Sequence, residues 1–219
     1  MSFQPPTESM REQLNNSRLW RDSQGKAGQR FYMAFEEYRQ LDLADVTMYD
    51  GTLQEAKLTG VRLDRADLGR VLANGLCLDD SQCIATCFDK AMLVEASFVR
   101  VIGRQATFWK ANLKSATFAE ADIREAIFDG ATCMRASFRN ADLRAARMRG
   151  ALLTGADFTG SLLSGVDWTG AVLDATTRLA PADGIEQIIA HHLNVNGRPV
   201  EELQVGAALA ALAGNGLDL

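Results

Sequence analysis

The sequence of 219 residues is 47% apolar and 23% charged, with a formal net charge of -5. That composition supplies one well-buried core, and its acidic balance argues against a nucleic-acid binder held by bulk positive charge. No apolar run approaches the roughly 18 residues that cross a bilayer, and the start "MSFQPPTESMREQLNNS" lacks a basic-then-apolar leader, so the expectation is a cytoplasmic protein with no membrane partner.

In chain order, residues 1–40 read as an N-terminal cap segment. Within it, "GQRFYMAFEEYRQ" places Phe31, Phe35 and Tyr38 at helical spacing, which predicts a short helix closing the first coil of whatever follows.

From Leu43 to Leu173 a large apolar residue recurs at almost every fifth position, as in Phe118, Ile123, Phe128, Cys133 and Phe138. Two places before almost every one stands a small or β-branched residue, and from Ala121 through Ala156 it is alanine every time. A helix of 3.6 residues per turn scatters such a pattern around its axis, and a strand puts alternate copies on opposite faces. A chain that turns a corner every five residues buries it, because each block then forms one side of a square and points one large and one small residue inward.

These blocks resemble the pentapeptide-repeat family, whose loose consensus A(D/N)LXX stands here as "ADLGR" (66–70), "ANLKS" (111–115), "ADIRE" (121–125), "ADLRA" (141–145) and "ADFTG" (156–160). The resemblance implies an all-β solenoid, a right-handed quadrilateral β-helix over residues 41–178. It implies about seven coils, a rod of roughly 30 Å at the ~4.8 Å spacing of stacked strands, and because open solenoid ends need covering the flanks read as short helical N- and C-terminal caps.

Four sides require residues twenty apart to stack. Phe88, Phe108 and Phe128 then form one aromatic ladder, and Phe98, Phe118, Phe138 and Phe158 another on the opposite side of the lumen. Gly103 is the one central position without a side chain, which predicts a defect or bulge around "VIGRQ". Corner glycines from Gly150 to Gly170 predict more regular turns there than near Cys83, where the slot holds Asp80, Ala85 and Lys90.

Residues 179–219 read as a C-terminal helical cap or dimerisation segment. "ADGIEQIIAHHL" has Asp183 as a helix N-cap, and "PVEELQVGAALAALAG" begins with Pro199 at a first helical position. Leu203, Leu209 and Leu212 give that last segment surplus apolar surface, the candidate interface of a homodimer.

No constellation carries chemistry, so no enzyme, cofactor or metal is expected. Cys83 and Cys133 point into the lumen several coils apart, and Cys77 and Cys87 point outward on opposite sides, so they cannot converge on one ion. His191 and His192 are neighbours on a predicted helix and point about 100° apart.

Outward positions are more informative. Leu72, Met92, Val94, Met134, Leu152 and Val172 fall on one side and form a candidate face for a protein partner. Arg104, Arg124 and Arg144 with Asp122 and Asp142 read as a salt-bridged ladder, while Arg135, Arg139, Arg147 and Arg149 form a candidate basic patch without interleaved aromatics. The leading expectation is therefore a non-enzymatic interaction scaffold. The family resemblance adds a second, since some members act as DNA mimics that occupy and protect DNA gyrase. Weak nucleic-acid binding through residues 135–149 is the third.

Overall fold

The computed structural model describes residues 3–174 and 176–179, with the backbone of 194–195 and 198–199. Its elements are α1 (Glu8–Asp22), β1 (Glu37–Arg39), β2 (Lys57–Thr59), β3 (Val172–Leu173), β4 (Asn194–Val195) and β5 (Arg198–Pro199). These few named strands understate the architecture, because most of the pairing is carried by single residues. Every fifth residue bridges in parallel to the residue twenty further on, as in Asp42 to Arg62, Thr47 to Asp67, Thr52 to Leu72 and Lys57 to Cys77. Four such columns run along the rod, so one coil has twenty residues and four sides.

The lumen is filled as the five-residue period requires. The central residues from Leu43 to Leu173 and the alanines beside them are almost wholly excluded from water. Phe88, Phe108 and Phe128 stack at 5.0 and 4.8 Å between ring centroids, and Phe98, Phe118, Phe138 and Phe158 at 4.6, 5.2 and 4.8 Å. The two ladders meet edge to face across the lumen, Phe108 lying 5.4 Å from Phe118 at 86°, an arrangement that suits the ring quadrupoles.

Two local expectations are overturned. The corners near Cys83 are as regular as those with glycine: φ is 60° at Asp80, 54° at Ala85 and 57° at Lys90, beside 73° at Gly160. The turn is imposed by the ladder on either side of it, and the side chain at the corner points to solvent and tolerates the left-handed region. Gly103 introduces no bulge either. Its amide donates to the carbonyl of Asp122 at 2.8 Å, and Ile123 and Val101 close over the space a side chain would take.

The cap helix expected around Phe31, Phe35 and Tyr38 does not form. Tyr32 already bridges to Thr52, Phe35 sits at a corner with φ 61° and is 66% exposed, and Tyr38 lies in β1, which pairs with β2. Met33 and Tyr38 continue the lumen series backward from Leu43 by fives, so ladder pairing begins before residue 41. The helix lies earlier, as α1, where the Thr7 hydroxyl accepts from the amide of Met10 and Met10, Leu14 and Ser17 are buried. Gln4, ahead of it, bridges to Leu41 and supplies a strand position that the first coil would otherwise lack. After α1 the chain returns through Gly28 at φ 76°, where a Cβ would fall 2.2 Å from the Asn16 carbonyl oxygen.

At the far end one extra residue enters the register: Asp157 pairs with Arg178, Thr177 is buried, and Leu179 is 2% exposed. β4 then adds in parallel to β3, and β5 pairs antiparallel to β4. Pro199 lies in β5, so no helix begins there. The other C-terminal expectations, including the 182–193 helix and the candidate interface at Leu203, Leu209 and Leu212, fall outside the described residues.

Candidate interaction faces

The four columns divide the surface into faces, named here by one bridging residue each: Asp122, Arg147, Leu152 and Ser137. Outward side chains come from the bridging position and from the two corner residues that follow the lumen residue.

The Leu152 face carries the expected apolar side chains. Leu72, Met92, Met134 and Leu152 are 41%, 40%, 37% and 40% exposed, whereas Val94 and Val172 are half-buried. The six do not form one stripe. Between Met92 and Leu152 the column passes through Asn112 and Thr132, which separates a Leu72–Met92–Val94 cluster from a Met134–Leu152–Val172 cluster.

The candidate basic patch is largely neutralised. Arg139 bonds Asp157 at 2.9 Å, Arg149 bonds Asp167 at 2.5 Å, and Arg147 pairs with Asp129. Arg135 alone of the four has no ion pair among the described residues. These arginines also stand on three different faces, so the folded chain does not assemble them into one patch. The Asp122 face holds the ladder: Arg104 and Arg124 bond Asp122 at 2.7 and 2.8 Å, and Arg144 bonds Asp142 at 2.7 Å.

These pairs leave their mark on the carboxylates. The Arg62 guanidinium holds Asp42 below the usual range, as Arg144 does for Asp142. Burial alone would raise Asp167, but bonds from the Thr169 hydroxyl and amide and from Arg149 outweigh it and bring that group to about 2. Between residues 41 and 178 stand 18 acidic and 16 basic residues, and each face balances to within one charge.

All four thiols are unpaired, and burial pushes those of Cys83 and Cys133 well above the ordinary range. Cys77 and Cys87 are raised by the same cause, which suppresses thiolate chemistry. Among the described residues no three metal-ligating side chains converge, and no helix is long and apolar enough to cross a membrane.

Sequence reasoning missed one cationic feature. On the Arg147 face Trp109 is 38% exposed, with the ammonium groups of Lys90 and Lys110 at 4.7 and 4.6 Å from its ring centroid. The signal was legible as two lysines twenty apart, one of them adjacent to an outward tryptophan.

With the coils and faces established, comparison with known proteins agrees at the level of fold. The model for pentapeptide repeats (8 copies) matches residues 116–155 and 151–177. Over those residues the rod is similar to the pentapeptide-repeat family. Among solved structures, a trypsin-treated variant of QnrB1, a plasmid-mediated fluoroquinolone resistance protein, matches with a TM-score of 0.60 at 13% identity, over 85% of this chain and 92% of that one. HetL, a pentapeptide-repeat protein involved in heterocyst differentiation regulation in a Nostoc cyanobacterium, matches at 21% identity over 75% and 81%, with a TM-score of 0.35. No curated protein matches the chain.

Proposed function

We propose that this pentapeptide-repeat protein is a non-enzymatic interaction scaffold whose Leu152 face meets a protein partner. The supporting observation is the exposure of Leu72, Met92, Met134 and Leu152 on a face that points away from the lumen. A rigid rod holds the two clusters at a fixed separation; Leu72 and Leu152 are four coils apart, about 19 Å at the ~4.8 Å strand spacing. The rest of the face is polar and close to neutral, the composition of a protein contact rather than of a phosphate-backbone contact. Four free thiols agree with a cytoplasmic, reducing location. The test is affinity capture from native extract by the immobilised protein. A defined partner should be retained by the natural chain and by an Ile102→Glu control on the Asp122 face, and lost when Met92 and Leu152 are both changed to Glu. Equal retention by all three proteins would end the reading.

A second reading, modulation or protection of DNA gyrase by DNA mimicry, draws on the end-to-end likeness to QnrB1. Charge opposes it. A DNA mimic needs a sustained negative potential, because steering and counterion release depend on it, and here every face is near balance. Gyrase supercoiling at micromolar protein is therefore expected to be unchanged, and inhibition or protection from a quinolone would restore this reading. Nucleic-acid binding through residues 135–149 has the least support, since Arg139, Arg147 and Arg149 already hold carboxylates.

A further inference from the structure

Helix α1 does not lie flush against the rod. Between it, the Pro5–Pro6 segment and the first coils remains a cleft of about 590 Å³, within the roughly 300–1,000 Å³ range of small-molecule sites. Arg11, Arg18, Arg21, Arg62 and Arg65 line it, against the three carboxylates of Asp42, Asp45 and Asp67. With Asp22, which pairs with Arg21 from behind, four carboxylates stand against the five guanidinium groups, and the cleft stays net positive.

Three of the arginines are held in place. Arg65 bonds Asp45 through two nitrogens at 2.7 and 2.6 Å, and Arg62 grips Asp42 in the same two-pronged way. Arg21 reaches the Thr47 hydroxyl and Asp67, each at 3.1 Å, and pairs with Asp22 behind it at 2.9 Å. A guanidinium carries five N–H donors, so each of these keeps donors beyond those its carboxylate uses. The other two are uncommitted: Arg11 has no ion pair among the described residues, and Arg18 has only a 3.8 Å contact with Asp22. Seven residues apart on α1, they lie on one side of the helix, with the cleft-lining Leu14 between them. Pro6, Leu14, Ala44 and Val46 give the cleft an apolar lining beneath the arginines.

We propose that this cleft binds a small organic phosphate, a dianionic phosphate monoester on an apolar body. The chemistry fits on both counts. A phosphate monoester carries close to two negative charges at neutral pH, which matches the two uncommitted guanidinium groups of Arg11 and Arg18, and paired guanidinium forks match its oxygens in geometry as well as in charge. The apolar lining selects for the body that inorganic phosphate lacks. A neutral aromatic of the same size gains the lining and forfeits the arginines.

Titration calorimetry on the full chain with phenyl phosphate, inorganic phosphate and phenol separates these contributions. Phenyl phosphate should bind at least tenfold more tightly than inorganic phosphate, and phenol should give no heat of binding. Changing Arg11 and Arg18 together to Ala should weaken phenyl phosphate at least tenfold. Their exposure leaves the fold intact, which an unchanged circular dichroism spectrum and melting temperature would verify. Changing Lys90 and Lys110, the cations beside Trp109, should leave the affinity unaltered. The proposal is overturned by absence of phenyl phosphate binding at millimolar concentration, by phenol binding equally well, by undiminished affinity in the arginine variant, or by loss in the lysine variant.

Discussion

At the scale of single residues, the lumen tolerates least change where the aromatic ladders interlock. Phe118 stacks on Phe98 and Phe138 and meets Phe108 and Phe128 edge to face, so its ring touches four others and no water. Replacement by alanine leaves a cavity that coils above and below cannot close, because their own pairing fixes the coil spacing. Phe118→Ala is expected to cost about 3–5 kcal/mol in chemical denaturation, the range for a deleted core phenylalanine. The corners respond in the opposite sense. Ala145 is exposed at φ 58°, a region that costs an L residue about 1–2 kcal/mol, while glycine there loses about 0.5–1 kcal/mol in backbone entropy. Ala145→Gly should therefore raise stability by about 0.5–1 kcal/mol, as urea denaturation would show.

At the scale of elements, the salt-bridged ladders make the rod acid-sensitive. Asp42, Asp80 and Asp142 are held below the ordinary carboxylate range by Arg62, Arg100 and Arg144, and Asp167 lies near 2 through bonds that outweigh its burial. Groups depressed in the folded state stabilise it above their unfolded value, about 3.9, and lose that contribution as pH falls through the folded value. Denaturation midpoints should thus hold steady from pH 7 to about 4 and drop between about 4 and 2. A midpoint flat down to pH 2 would show that the pairs contribute nothing to folding.

The elements also show what a sequence discloses and what it conceals. The five-residue period was legible because each block repeats one burial decision, and the two phenylalanine ladders follow from it directly. The N-terminal coil was misread although the same arithmetic reached it: Met33 and Tyr38 are steps of five before Leu43, yet Phe31, Phe35 and Tyr38 also happen to share a helical spacing. Helix α1 was hidden because it buries only a narrow seam, Met10, Leu14 and Ser17, against coils whose position a local pattern does not report. The candidate faces were legible in type but not in continuity. Asn112 and Thr132 divide the apolar side, and the acidic partners of Arg139, Arg147 and Arg149 lie eighteen residues away in sequence.

At the scale of the whole molecule, the two ends of the rod differ among the described residues. At the N-terminal end Gln4 and α1 complete and cover the first coil. At the other, β4 and β5 extend only the column that ends at Val172, while the columns ending at Leu162 and Asp167 receive no further ladder residue among the described ones. An open solenoid end exposes strand edges and lumen, which favours a second copy over water. Leu203, Leu209 and Leu212, with the alanines between them, give residues 182–214 more apolar surface than the end of a narrow square coil needs. Two copies meeting through that segment would bury the surplus in one self-complementary contact and shield that end of both rods together. Light scattering at high micromolar concentration should therefore give twice the 23.9 kDa chain mass for the full protein, and a monomer or aggregate for a chain ending at Arg178. A full-length chain that keeps its single mass at that concentration would show that each C-terminal segment closes its own rod.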